Sequence, residues 1–344
     1  MREQASACLR LGSPMYGELL GRIADDLDAD GPTAAVIRGH EQEPGPAALA
    51  LRLLGSVHRL VLERRAGELA PFYPSVGGIW HPDGWPAFRG LLADQPDAVR
   101  AWLDRPPQTN EVGRAAALAG GLLELAARFP LPVRLAEIGS SGGLNLLLDS
   151  FRYVDALGSV GPDRSPVVLD PAWAGRALKS RVLPTVVQRW GSDPRPVDVR
   201  TTAGRLALTA YVWPDQVARL ERLRGALALA QGTPYVVRRQ SAADFVSELT
   251  LRPGHLTVLW HSVMWQYVPA PERARVTARL AELGRSASEE SPLVHLYAEP
   301  TRRTGSDEHR FWVQAETWPG GGRPEVLGRM EPHGLPVVWE SLWE

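Results

Sequence analysis

The chain has 344 residues, with 38 lysines and arginines against 39 aspartates and glutamates and a formal charge of −1. That balance argues against a general electrostatic grip on nucleic acid or on an anionic membrane; a small-molecule substrate is expected, with a protein substrate left open. Cys8 is the only cysteine and Lys179 the only lysine, which rules out an intrachain disulfide and a cysteine-based zinc site and leaves one candidate for Schiff-base chemistry.

The start, MREQASACLR, is polar and carries no apolar signal-peptide core. The apolar run from Ala115 to Leu123 is far too short to cross a membrane. A soluble, cytoplasmic protein is expected. Residues 1–130 read as an N-terminal helical domain, a lid or substrate domain. Ala47 to Arg65 sets Leu51, Leu54, Val57, Leu60 and Val61 at helical spacing. Pro71 to Pro86 is a loop so rich in bulky side chains that it should be packed; Tyr73 and His81 in it are substrate candidates. Gln108-Thr-Asn-Glu-Val-Gly-Arg114 opens a second helix, Glu111 to Phe129, stopped by Pro130 and Pro132. On the plainer reading Thr109 or Asn110 caps it. On the other, Asn110, Glu111 and Arg114 bring a donor, an acceptor and a fixed cation to a substrate, with Glu111 among the catalytic candidates.

From residue 131 the pattern changes. Val133–Ile138, Val182–Trp190, Tyr235–Arg239, Leu256–His261 and Leu293–Ala298 read as strands, with helices at Gly143–Phe151, Trp213–Gln231 and Pro269–Leu283. Phe311–Trp318 and Val337–Trp339 read as a closing pair, with a Gly-rich turn from Pro319 to Pro324 near them. This alternation predicts a Rossmann-like α/β domain over residues 131–344, with a mostly parallel sheet of about seven strands. Residues 152–181, rich in Pro and Gly, read as an irregular insertion.

Glu137-Ile-Gly-Ser-Ser-Gly-Gly143 joins the first strand to its helix. Small residues there let a backbone approach a ligand, and ligands of such sheets sit beyond the carboxyl ends of the strands. The spacing is not that of the dinucleotide fingerprint. It is similar to the acidic-x-Gly-x-Gly-x-Gly turn of class I methyltransferases, with Ser141 in place of the middle glycine. Glu137, Gly139, Ser140, Ser141, Gly143 and Asn145 are therefore cofactor candidates. Asp193, after the second strand, stands where a carboxylate would hold ribose hydroxyls; it equally suits a turn before Pro194. After the third strand Ser241 or Asp244 would meet an adenine amine. The fourth strand ends in His261, placed to act as a base or equally to be hydrogen-bonded within the domain, followed by Trp265, Gln266 and Tyr267 on the substrate side, with Tyr267 a further catalytic candidate. No histidine pair has zinc-site spacing, so no metal is expected.

QTNEVGR, RLAEIGSSGGLNLLLDSFRY, AYVWPDQVARLERL and LTVLWHSVMWQYVP together resemble the bacterial family called domain of unknown function 2332. Its core is similar to a class I S-adenosylmethionine-dependent methyltransferase. That resemblance carries cofactor roles to Glu137, Gly139, Ser141, Gly143 and Asp193 by position. It implies a methyltransferase acting on a small molecule at oxygen or nitrogen. The long interval from Glu137 to Asp193, and the lack of an Asn-Pro-Pro-Tyr motif after the fourth strand, leave two rivals: a non-catalytic binding module, and an enzyme of other chemistry on the same fold.

Overall fold

The computed structural model describes residues 1–40, 48–104, 107–302 and 309–340. Its helices are α1 Arg2–Arg10, α2 Pro14–Asp28, α3 Pro32–Ile37, α4 Leu49–Leu62, α5 Gly84–Asp94, α6 Pro96–Arg100, α7 Ala115–Leu125, α8 Thr202–Ala210, α9 Val217–Gly232, α10 Ala242–Ser247 and α11 Ala270–Ser286. Its strands are β1 Val133–Ile138, β2 Arg152–Asp155, β3 Gly158–Val160, β4 Val168–Leu169, β5 Trp173–Gly175, β6 Val186–Asp193, β7 Val236–Arg239, β8 Leu256–Ser262, β9 Leu293–Thr301, β10 Arg310–Trp318, β11 Glu325–Met330 and β12 Val337–Trp339.

The chain forms two units: Met1–Thr109 with Val199–Glu221, and Asn110–Asp198 with Arg222–Glu344. This division differs from a boundary at residue 130. The helix preceding β1 belongs with the sheet, and a segment after β6 leaves the sheet for the helical unit. The first unit is helical. Its α4 is the helix read from the spacing of Leu54, Val57, Leu60 and Val61, all buried; Ala47, the first residue of the predicted helix, lies outside the described residues. Pro14 starts α2, and Ser13 accepts from the Tyr16 amide at 3.3 Å while donating to Asp215 at 2.6 Å. The Pro71–Pro86 loop is packed around two 3-10 turns, and Tyr73 is fully buried. His58 lies beside Tyr73, between the Ala210 carbonyl (3.1 Å) and the Ser75 hydroxyl (2.8 Å). Burial pushes its imidazole down to about 4, so it stays neutral.

The second unit is built on a nine-stranded sheet in the order β5-β12-β11-β10-β9-β8-β1-β6-β7. β7, β6, β1, β8 and β9 run parallel; β10, β11 and β12 continue as an antiparallel meander; β5 adds a parallel edge. It is a mixed α/β fold with a mostly parallel central sheet, two strands wider than expected. One face carries Ala136, Ile138, Leu259 and Leu293 against α10 and α11. On the other, α7 packs close because Gly121 has no Cβ to meet Leu296, only 2.6 Å from where it would stand. The supposed irregular insertion is ordered. β2, β3 and β4 make a small sheet, Tyr153 stacks on Trp173 at 5.1 Å, and Arg176 makes a bidentate pair with buried Glu124 of α7 at 2.8 and 2.9 Å. Further differences are local. The segment after the Gly-rich turn is a 3-10 helix, Leu144–Ser150, and β11 and α8 had no clear periodic signal.

Gly120 supplies a test of the α7 packing. A Cβ there would lie 2.1 Å from Cζ2 of Trp339, a buried ring. Alanine normally gains about 1 kcal/mol over glycine in a helix. Here the clash reverses the sign: Gly120→Ala should lose roughly 1–3 kcal/mol in urea unfolding. A stabilised variant would mean that the α7–β12 packing is looser than described.

Candidate functional site

The chain runs from β1 to β6 on one side and later returns to β8 on the other, so the sheet's switch point lies at the carboxyl ends of β1 and β8. Open α/β sheets leave a crevice there. Both loops leaving this point are strained. Ser141 and Val263 each hold φ at 52°, the left-handed region. For the β-branched Val263 this is a true outlier, and such conformations cost about 1–3 kcal/mol and cluster at functional sites. The glycines are where space demands them. At Gly139, φ 68°, a Cβ would meet Met264 Cγ at 2.8 Å; at Gly143, φ 73°, it would meet the Tyr235 ring at 2.6 Å.

The turn is held by polar side chains. Ser141 N–H donates to Asp193 Oδ2 at 3.0 Å, and Asp193 Oδ1 accepts from the Arg195 amide at 2.8 Å. Leu144 N–H donates to Asn110 Oδ1 at 2.9 Å, and the Tyr235 hydroxyl donates to the Gly142 carbonyl at 2.8 Å. Ser140 Oγ donates to the Glu137 carbonyl at 2.8 Å, which fills the space a side chain at Gly191 would need. Asp193 and Asn110 thus already occupy turn amides that were expected to face a ligand.

Glu137, next to last in β1, lies on the face opposite Ala136 and Ile138, level with Trp260 and Gly191. It is buried, and its Oε2 has no hydrogen-bond partner among the described residues; nor do Asn145 Oδ1 and Trp260 Nε1. Burial, then the neighbouring Asp193 charge, pushes its carboxyl up to about 8, with the Asn145, Trp260 and Ser140 side chains pulling the other way. A buried carboxyl oxygen left without a partner, as Oε2 is, is costly.

His261 lies elsewhere than expected. Strand alternation turns it to the face opposite Trp260 and Glu137. Both ring nitrogens are engaged, Nδ1 with Glu299 Oε1 at 2.8 Å and Nε2 with His295 Nε2 at 3.0 Å, and Trp265 and Tyr297 both stack against the ring. His295 continues to Glu316 at 3.4 Å. Burial pushes His295 below the ordinary histidine range.

The remaining candidates scatter. Ser241 caps α10, and exposed Asp244 accepts from Ser241 and Arg275, both at 2.7 Å, which hold it below the usual carboxylate range. Glu111 Oε1 accepts from the Gly113 amide at 3.1 Å, and Arg114 donates to the Pro332 carbonyl at 3.2 and 3.3 Å. Of that trio, Asn110 holds the Gly-rich turn through the Leu144 amide. Gln266 and Tyr267 are exposed. Tyr73 and His81 belong to the helical unit, the first buried, the second exposed beside Asp83. Sequence reasoning missed Trp260, His295, Glu299 and Glu316. The alternation His295-x-Tyr297-x-Glu299 along one strand face was the available signal.

Among the described residues, no group of three or more His, Cys, Asp or Glu side chains is placed to hold a metal ion, and no helix is long and apolar enough to cross a membrane. No curated protein and no solved structure matches the chain. A family described as uncharacterized protein conserved in bacteria (DUF2332) matches residues 1–339, and the chain belongs to that family.

Proposed function

We propose that the chain is an S-adenosylmethionine-dependent methyltransferase acting on a small molecule at oxygen or nitrogen, with its cofactor at the carboxyl edge of β1, β6 and β8. The order β7-β6-β1-β8-β9 is that of a doubly wound, Rossmann-like sheet, which supports the reading. The observation that carries it is the unpartnered Oε2 of Glu137 at the switch point. A ligand with a hydroxyl or ammonium donor fits that atom, and the nucleoside cofactor has both. When bound, it supplies an electrophilic methyl group. Glu137 would hold a donor, Asp193 would accept from ribose hydroxyls through its remaining lone pairs, and Asn145 would add its free acceptor. The chain's other task is to align the nucleophile and exclude water.

One observation favours the rival binding module. The amides of Ser141 and Leu144, which would meet the cofactor's amino-acid end, are already taken by Asp193 and Asn110. Calorimetry with S-adenosylmethionine and S-adenosylhomocysteine, beside NAD and ATP, separates these readings. Binding of either sulfur ligand, weakened in Asp193→Ala by roughly 1–3 kcal/mol or about 5- to 150-fold, is the expected result. Binding of a dinucleotide alone defeats the assignment. No binding at millimolar concentration favours the module.

A further inference from the structure

On the α10–α11 face of the sheet, Glu299, His261, His295 and Glu316 form a continuous chain across β8, β9 and β10, with links of 2.8, 3.0 and 3.4 Å. Each link needs one proton, since two bare lone pairs at these distances repel. Three links therefore hold three protons. Two carboxylates and two neutral imidazoles carry only two. Filling all three links takes one more proton, shared along a row that Trp265 and Tyr297 flank by stacking on His261.

The two ends differ. Glu316 is the most exposed member, its side chain 21% accessible, and the Tyr297 hydroxyl faces its carboxylate. Glu299 is 4% accessible, and its Oε1 also accepts the Met264 amide at 3.1 Å. Its Oε2 has no partner among the described residues. Glu299 stands one residue past the register of His261 with Tyr297 and of Ser262 with Ala298, at the carboxyl edge. It abuts the strained Val263–Met264 loop, whose Met264 side chain packs on Gly139.

We propose that Glu299 is an acid–base group serving the carboxyl-edge crevice, and that His261 and His295 conduct its proton to Glu316 and solvent. A proton taken from a bound O–H or N–H goes to Glu299 Oε2 as the proton of the Oε1 link settles on His261 Nδ1. The His261 Nε2 proton passes to His295 Nε2, and the His295 Nδ1 proton passes to Glu316, which keeps that link filled and exchanges its proton with solvent. The reverse sequence resets the chain. Every bond made is matched by one broken, and no co-reactant is needed. His261 and His295 act through Glu299 and are positioning residues.

The test uses the free protein, with the two rings labelled with ¹⁵N and assigned through His261→Gln and His295→Gln. Its failure is therefore separate from failure of the cofactor reading. A shared proton gives a ¹⁵N–¹⁵N coupling between the two Nε2 atoms. A conducting chain makes that proton exchange with solvent faster than its burial allows. Glu316→Gln keeps an acceptor but cannot take the proton, and should slow the exchange by at least about tenfold with the amide spectrum unchanged. Absence of the coupling, or exchange indifferent to Glu316→Gln, overturns the proposal.

Discussion

Glu137→Gln is expected to give a protein more stable than the wild type at alkaline pH and equal to it near pH 5. An ordinary glutamate ionises at 4.5, whereas burial and Asp193 hold Glu137 protonated up to about 8 in the folded chain. Between these values the folded state binds more protons than the unfolded state, so stability falls as pH rises. The favourable contribution of the protonated group is complete below 4.5 and lost through about 8. Each unit is about 1.4 kcal/mol, so the whole window is on the order of 3–5 kcal/mol. Glutamine keeps the shape and cannot ionise, which removes the slope. Urea unfolding of both proteins at pH 5, 7 and 9 reads the effect as a widening gap in favour of the variant. Parallel curves would show that Glu137 ionises normally in the folded protein and that its carboxyl is not shut away from water. The sign is diagnostic. A glutamate held by packing alone would lose stability on replacement; one forced to stay protonated gains it at alkaline pH. The same change should weaken binding of S-adenosylhomocysteine, because the amide cannot give up a proton and ionise against the ligand's donor.

The parallel strands were legible in the sequence because each is a short apolar run between turn residues. β1, β8 and β9 begin within a residue or two of where their apolar runs begin, and Glu137 and the glycines of its turn fall where the strand-turn-helix pattern put them. The elements that were not legible lack such contrast. β2 to β5 are two to four residues long, and the Pro- and Gly-rich sequence around them reads as loop. Their order comes from partners distant in sequence, such as Trp173 on Tyr153 and Arg176 on Glu124. Side-chain direction was the harder loss. Glu137 and His261 both sit at strand ends, so one cleft for both was natural. Which face a terminal residue takes depends on register, and register is fixed by pairing, not by local pattern. The partners of Asp193 were hidden for the same reason: a carboxylate after a strand suits a ribose or a turn equally, and only the fold brings the Ser141 amide 3.0 Å away.

Glu299→Ala should be among the most destabilising single changes in the sheet unit. The carboxylate is buried and makes two contacts at one oxygen, with His261 Nδ1 at 2.8 Å and the Met264 amide at 3.1 Å. Removing one partner of a buried ionic pair leaves the other uncompensated, at a cost of roughly 3–5 kcal/mol. Val263 adds to it. Its left-handed backbone is held on one side by its own amide on the Ala298 carbonyl and on the other by Met264 on Glu299. With Glu299 gone, the loop can relax to an unstrained conformation, and Trp265 then loses its place on the His261 ring. Glu299→Gln separates charge from shape. Its amide oxygen can still accept at the Oε1 position, so the loop stays tethered and the loss should be nearer 1 kcal/mol. Urea unfolding of the two variants, with tryptophan fluorescence reporting on the loop, measures both terms. A loss below about 1 kcal/mol for Glu299→Ala would show that the row of four is not closely coupled. The proton chain and the strained loop would then have to be treated as unrelated features of the same edge.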